Sequence, residues 1–103
     1  MRPYVLTRSA ATDLRDVVRY TLQTWERTQC QAYIAQIEER PPRELALGQG
    51  GYKNRDDLLP GLRVRRAGHH YLFCLPRDNQ PSLMLAILHE RMDMIARLQE
   101  RLD

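Results

Sequence analysis

Several residue types are scarce in this 103-residue chain, and their scarcity excludes several classes of protein. Only two cysteines are present, Cys30 and Cys74, and no C-x-x-C or Cys/His spacing surrounds either of them. This excludes a zinc ribbon and a dithiol redox motif, so we expect both to be small buried hydrophobic residues, with a disulfide or a reactive thiol as the alternative. No apolar stretch is long enough for a signal peptide or a membrane span, which predicts a cytoplasmic protein without membrane contact.

The sequence motifs of common enzymes are also missing. There is no G-x-S-x-G, no Walker loop and no dinucleotide glycine pattern, and residues 48–51 lack the preceding strand and following lysine of a phosphate loop. His69, His70 and His89 have no spacing that joins a nucleophile, a base and an orienting group. Neighbouring strand residues point to opposite faces, which makes His69 and His70 a poor metal pair. We therefore expect histidines that hydrogen-bond locally, with no catalytic residue, no metal and no cofactor.

Length and composition predict one folded domain over residues 1–103. A chain of this size has room for one modest core. Its hydrophobic content is 43% and its charged content 28%, which is ordinary for a globular protein and argues against disorder.

Arginine is abundant where lysine is nearly absent. The chain has fifteen arginines, one lysine (Lys53) and a net charge of +3. Because the guanidinium group pairs carboxylates and phosphates bidentately, this composition favours an acidic partner, either nucleic acid or an acidic protein surface. A solvated arginine-rich surface is the alternative.

A short strand and an amphipathic helix are predicted at the N-terminus. Residues 4–6 have the composition of a strand, and Ser9 offers an N-cap for a helix over residues 10–25. The apolar stripe of this helix contains Leu14, Val17, Val18, Leu22 and Trp25.

A second helix is predicted to follow after a very short turn, forming an antiparallel helical hairpin. Thr28 can cap this helix, which must stop by Arg40 because Pro41 and the proline after it disfavour helical geometry. Residues 44–47 could form a helical turn. The stripe of the second helix contains Cys30, Tyr33, Ile34 and Ile37. Both stripes are most simply core, and part of this surface could dock a partner helix or strand.

Three strands and a short helix are predicted in the second half. Alternation at residues 62–65 indicates a strand with one buried face, and residues 67–69 are the natural hairpin turn. Residues 71–75 and 83–88 are almost continuously apolar, so we expect central strands joined by a loop over residues 76–81. A C-terminal helix carries Ile95, Leu98 and Leu102.

The predicted edge of this sheet is basic. Arg63 and Arg65 should project from one face, close to Arg66, and could hold RNA backbone or a carboxylate-rich partner segment. Tyr52 and Tyr71 are the nearby aromatic residues that could stack on bases. The alternative is a solvated face on which arginine stems cover apolar neighbours.

Five short motifs, in order along nearly the whole chain, resemble the ParE toxins of the RelE/ParE superfamily, the toxic halves of bacterial toxin–antitoxin pairs. The motifs are Tyr4-x-Leu6-Thr-x-x-Ala10 before Asp13-Leu14, Tyr20…Trp25, Asp57-Leu-x-Pro60-Gly61-Leu62-Arg63, Gly68-x-His70-x-x-Phe73 and Ile87-Leu88-His89-x-Arg91-Met92-Asp93.

The resemblance implies an α+β fold in which an N-terminal helical hairpin packs on a small twisted, mainly antiparallel sheet with a short C-terminal helix. It further implies a cognate antitoxin segment that folds on binding, a hetero-oligomeric complex and DNA gyrase as the target, with DNA contacted only through the antitoxin or gyrase. Such toxins are inhibitors and not enzymes. The candidate contacts with target or antitoxin are Arg63, Arg65, Arg66, His70, Arg91, Met92, Asp93, Trp25 and Tyr33.

Two other functions remain open. RelE-like relatives cut messenger RNA on the ribosome, and Arg63, Arg65 and Arg91 could bind phosphate here, but the C-terminal helix offers no tyrosine or lysine as a general base. The third possibility is an inactive member that only binds its antitoxin and represses an operon. The chain departs from the family pattern at Pro41-Pro42 and at residues 48–51.

Overall fold

Four helices and five strands make up the fold of the computed structural model, which describes residues 2–102. The strands form one sheet in the order β1-β5-β4-β3-β2, in which β1 runs parallel to β5 and the other neighbours are antiparallel. This confirms the predicted α+β class. Within the described range, no helix combines the length and hydropathy needed to cross a membrane. The elements are β1 (Tyr4–Leu6), α1 (Arg8–Thr24), α2 (Arg27–Glu38), α3 (Arg40–Leu47), β2 (Lys53–Asn54), β3 (Arg63–Ala67), β4 (His70–Arg77), β5 (Gln80–His89) and α4 (Met94–Leu102).

The sheet has a packed core on each face. The face under α1, α2 and α3 carries the larger cluster, which includes Val17, Ile37, Leu45, Leu72 and Met84. The opposite face is covered by α4, whose Leu98 packs with Leu62, Phe73, Ala86 and Leu88. The continuous apolar runs of β4 and β5 follow from this burial on both sides.

The first two helices begin earlier than the sequence predicts. The side chain of Thr7, not that of Ser9, caps α1 by accepting a hydrogen bond from the N–H of Ala10 at 3.1 Å. Glu26 precedes α2 in an extended conformation, so Thr28 lies inside the first turn and is no cap. The predicted stripe of α1 is also only partly buried, because Leu22 is 57% exposed.

A third helix, α3, forms where only a turn was predicted. Pro41 and Pro42 lie in its first turn, where a missing N–H leaves no hydrogen bond unmade. The same prolines that end α2 therefore start α3. The helix ends at Gly48, which adopts a left-handed conformation with φ of 71°. The short strand β2 was not predicted either.

The hairpin between β4 and β5 is tighter than predicted. Arg77 pairs with Gln80, so the loop predicted over residues 76–81 is a two-residue turn with Asn79 at φ of 58°. Phe73 pairs with Ala86 but Cys74 pairs with Met84, which leaves Leu85 as an extra residue in β5. This bulge matters for the site, because it lies where a side chain from α4 reaches the strand.

Candidate partner-binding clefts

Two open clefts lie on opposite sides of the turn that leaves β5, residues 90–93, here called the exit turn. The first, the α1 cleft, has a volume of about 570 Å³ and lies between α1 and the end of β5. It is lined by Asp13, Asp16, Val17, Tyr20, Trp25, His69, His70, Ile87, His89, Glu90, Arg91 and Met92.

The second cleft, the α4 cleft, lies beside β2, β3 and the start of α4 and has a volume of about 790 Å³. Met92 lines both clefts, so the exit turn forms a wall that they share. The α4 cleft is lined by Gly51, Tyr52, Lys53, Arg55, Leu58, Val64, Arg65, Arg66, Tyr71, Phe73, Met92, Asp93, Met94 and Ile95.

The histidines of the chain converge at one end of the α1 cleft, which the sequence did not predict. The ring centroids of His70 and His89 are 5.0 Å apart, and those of His69 and His89 are 6.3 Å apart. Pairing of β4 with β5 produces this convergence, since His70 lies directly opposite His89. Between residues 2 and 102, however, no group of three or more side chains is arranged to hold a metal ion.

His70 is a buried, neutral imidazole in contact with Tyr33. The hydroxyl of Tyr33 accepts a hydrogen bond from the backbone N–H of His69 at 2.9 Å and lies 2.6 Å from Nδ1 of His70. With His70 neutral, the hydroxyl donates to Nδ1 and the proton of the ring is on Nε2. Burial, together with the neighbouring His89 and His69, lowers the pKa of His70 to about 4. Burial also raises the pKa of Tyr33.

The turn between β3 and β4 fits closely against Tyr33. Gly68 has φ of +62°, and a Cβ at this position would lie 2.6 Å from Cε1 of the Tyr33 ring. A side chain would therefore be strained both by the backbone and by the ring. The turn and α2 thus fix each other, which places His69 and His70 at the cleft.

The exit turn is tied to this histidine cluster by Glu90. Its carboxylate accepts hydrogen bonds from Nη2 of Arg66 at 2.6 Å and from His69 Nδ1 at 2.9 Å. The bond from His69, followed by the charge of Arg66, lowers the pKa of Glu90. Next to it, the N–H of Arg91 donates to Nδ1 of His89 at 3.1 Å. The backbone of the turn is therefore fixed while the Arg91 side chain is exposed to solvent.

Arg63 and Arg65 both reach the helix side of the sheet, where they contact α3. Nη1 of Arg63 donates to the carbonyls of Leu45 and Ala46 at 3.2 and 3.3 Å, at the negative end of the helix dipole. Nη1 of Arg65 lies 3.6 Å from a carboxylate oxygen of Glu44. Since Arg66 pairs with Glu90, the three arginines present no shared unpaired basic surface, and contact with a partner stays a prediction for each.

A buried ion pair that the sequence analysis missed joins α1 to α4. The guanidinium of Arg101 donates to both carboxylate oxygens of Asp13 at 2.6 Å and to the carbonyl of Leu85 at 3.1 Å. Asp13 also accepts from the N–H of Ile87 at 2.9 Å. The signal was present, because Asp13 occupies a position between Ala10 and Val17 on the buried face of a helix. The hydrogen bond to Asp13 raises the pKa of Arg101.

The remaining predicted contact residues divide between the surface and the core. Trp25 is 38% exposed, and its ring is nearly perpendicular to that of the buried Tyr33, with the two centroids 5.0 Å apart. Asp93 accepts from the N–H of Ala96 at 3.2 Å and so starts α4. The α1 cleft therefore brings together Trp25, His70, Arg91 and Met92, whereas Arg63 lies under α3 and Arg65, beside Glu44, lines the α4 cleft.

Comparison with known proteins gives consistent matches. Residues 4–94 match the family described as ParE toxin of type II toxin-antitoxin system, parDE. The chain is 49% identical over 102 residues to Toxin ParE of Escherichia coli, covering 99% of this chain and 98% of that protein. It is 28% identical over 91 residues to Toxin ParE1 of Mycobacterium tuberculosis, covering 88% and 92%.

A solved structure shows the same fold. The chromosomal ParDE TA system from P. aeruginosa contains a chain that superposes with a TM-score of 0.62 at 18% identity, covering 86% of this chain and 98% of that one. The fold and these matches define a toxin component of a type II toxin–antitoxin system. Within that class, the chain belongs to the ParE toxin family. The partner of such a toxin is an antitoxin.

Proposed function

We propose that this toxin poisons DNA gyrase by trapping its cleaved-DNA intermediate, and that it acts by binding and not as an enzyme. The observation that carries the proposal is membership of the ParE family, since gyrase is the target that the resemblance to ParE toxins implies. The chain acts as one domain over residues 1–103 in the cytoplasm, where gyrase is found. DNA is contacted only through gyrase or the antitoxin.

The positions of the arginines support this proposal over RNA cleavage. A ribosome-dependent endoribonuclease would need Arg63, Arg65 and Arg91 on one phosphate. Arg63 instead donates hydrogen bonds to carbonyls of α3, and Arg65 forms an ion pair with Glu44 of α3 at 3.6 Å. Arg91 lies on the exit turn, in the α1 cleft.

The α1 cleft is the proposed binding groove for the antitoxin. It combines a buried floor with large exposed apolar side chains, among them Tyr20, Trp25 and Met92. Apolar surface grouped in this way is typical of an interaction site. A disordered antitoxin segment that orders in the groove would form the hetero-oligomeric complex and silence the toxin.

The test is a supercoiling assay with toxin freed from its co-expressed antitoxin. We expect loss of supercoiling or accumulation of cleaved DNA, and restoration of gyrase when antitoxin is added back. Normal gyrase activity at saturating toxin, together with codon-specific cuts in messenger RNA, would show an endoribonuclease instead. Unimpaired growth of cells that express the toxin alone would point to an inactive corepressor.

A further inference from the structure

We propose that the α1 cleft selects its antitoxin by charge: Asp16 on the α1 wall takes a basic side chain, and Arg91 on the exit-turn wall takes an acidic one, from the two flanks of one amphipathic helix. This inference rests on the proposed docking of the antitoxin in that cleft.

The β5 edge beside the cleft favours a helix over a strand as the occupant. Beyond the end of β1, the N–H of Ile87 is bonded to Asp13 and the carbonyl of Leu85 is bonded to Arg101. An incoming strand would have to break the buried pair of Asp13 and Arg101 to reach these groups. A helix needs no backbone bond from the edge and can offer an apolar stripe instead.

The floor and rim of the cleft fit such a stripe. Val17 and Ile87 are buried at the base, whereas Tyr20 is 60% exposed and Met92 is 44% exposed. Helix docking of this kind uses a few apolar anchors at three- and four-residue spacing. The exposed rim residues are the side chains that a stripe would cover.

Two of the charged residues that line the cleft can pair with side chains on the two flanks of the docked helix. Among the residues that the structure describes, Asp13 is paired with Arg101, and Glu90 is paired with Arg66 and His69. Asp16 and Arg91 also line the cleft and form no ion pair with each other or with another described residue. They belong to opposite walls, one to α1 and the other to the exit turn.

The side chains around Asp16 favour a cationic side chain as its binding partner. Asp16 and Tyr20 are four residues apart on α1 and so lie on the same face of the helix. A lysine or arginine held there contacts the carboxylate and the face of the exposed ring together. On the other wall, the exposed Arg91 guanidinium suits a carboxylate, with which it can form a bidentate pair.

Opposite charges on the two walls fix the direction of the docked helix. A helix whose apolar stripe faces the floor has a left and a right flank, and reversing its chain direction exchanges them. Only one direction therefore matches a basic flank to Asp16 and an acidic flank to Arg91. A helix docked in the other direction meets like charges on both sides, and a helix with the same charge on both flanks meets a like charge on one side, so both are disfavoured.

The test compares charge reversals in the cleft with matched reversals elsewhere. Asp16→Arg and Arg91→Glu are the test variants, and Asp78→Arg in the β4–β5 turn and Arg97→Glu on α4 are exposed controls with the same changes of charge. Association with the cognate antitoxin is measured in about 0.1 M and about 1 M salt, where the Debye length is about 10 Å and 3 Å. We expect each test variant to associate about tenfold more slowly than its control in low salt, with the difference shrinking in high salt.

The outcomes separate this inference from the proposed function. Equal association rates for test and control variants overturn the charge selection, whatever the toxin does to gyrase. Variants that keep their antitoxin affinity but no longer inhibit gyrase also overturn the charge selection, because Asp16 and Arg91 would then serve contact with gyrase and not with the antitoxin. Wild-type toxin without effect on gyrase refutes gyrase poisoning and leaves the antitoxin measurement valid. Circular dichroism of each variant checks that the fold is intact.

Discussion

His70 is a titratable residue whose surroundings in the folded protein differ strongly from water. It is 7% exposed, and its Nδ1 faces the hydroxyl of Tyr33, which already accepts the N–H of His69. If Nδ1 of His70 were protonated, it could no longer accept a hydrogen bond from the Tyr33 hydroxyl. That hydroxyl would then have no acceptor for its own proton. The folded protein therefore holds this ring neutral at pH values where a free histidine is charged.

This environment predicts an acid-sensitive step in stability. The pKa of His70 is about 4 in the folded protein and ordinary in the unfolded chain, so on acidification the unfolded chain takes up its proton first. The stabilising effect is complete above about pH 6.5 and declines as the pH falls towards 4. Urea unfolding between pH 5 and 6.5 should show uptake of up to about one proton, which His70→Gln abolishes.

The matched control for this prediction is His69→Gln, in the exposed turn before β4, because it leaves His70 and Tyr33 in place. The same pH dependence in the His70→Gln protein would show that another group is responsible. Glu90 is kept apart from this test, because its lowered pKa affects stability only at more acidic pH, below the ordinary glutamate range.

At the scale of elements, patterns local in sequence were predicted well. The apolar runs correctly predicted β4 and β5, and the predicted N-terminal strand is present as β1. Leu98, from the predicted stripe of the last helix, is the buried residue of α4. The errors were at boundaries, where Thr7 competed with Ser9 as a cap, and at Pro41, which was interpreted only as a helix stop. A proline in a first turn favours a helix as readily as one in the interior ends it.

The site was harder to predict, because it depends on residues that are distant in sequence. His70 and His89 meet only because the register of β4 and β5 places them opposite each other. Asp13 and Arg101 are 88 residues apart, and nothing local in the sequence joins them. Trp25, His70, Arg91 and Met92, whose motifs carried the family resemblance, were the cleft residues within reach of sequence reasoning.

The β3–β4 turn provides a prediction with an internal control. Gly68→Ala adds a Cβ 2.6 Å from the Tyr33 ring, on a residue whose φ is +62°. We therefore expect the free energy of unfolding to fall by about 2–4 kcal/mol. Gly51→Ala is the control, since its Cβ would meet nothing within 4 Å. Urea denaturation should show a change within about 1 kcal/mol for Gly51→Ala. Equal effects of the two changes would mean that the ring and the turn are not in close contact.

At the scale of the molecule, the pair of Asp13 and Arg101 connects α1 to the last helix past the edge of β5. Its side chains are only 10% and 22% exposed, so removing one partner leaves a largely buried charge. We expect Arg101→Ala to lower the free energy of unfolding by about 2–4 kcal/mol. The control is Arg97→Ala, on the same helix but exposed and without an ion pair among the described residues.

A double-mutant cycle isolates the interaction from the loss of each side chain. Asp13→Ala with Arg101→Ala should be less destabilising than the sum of the single changes, with a coupling of about 1–3 kcal/mol. Additive effects would mean that the two groups act independently, for instance through Ile87 and Leu85 alone. Thermal or urea unfolding of the four proteins is sufficient for the comparison.

Parallel pairing of β1 with β5, in which Tyr4 lies beside Ser82, also governs when the protein can fold during its synthesis. A ribosome adding about 5–20 residues per second needs roughly 4–16 s to make the 80 or so residues between these strands. Until β5 is made, β1 has no partner strand and the helices have no complete sheet to cover. Both clefts also need Met92, from the exit turn after β5. Translation that stops before residue 92 therefore yields neither cleft.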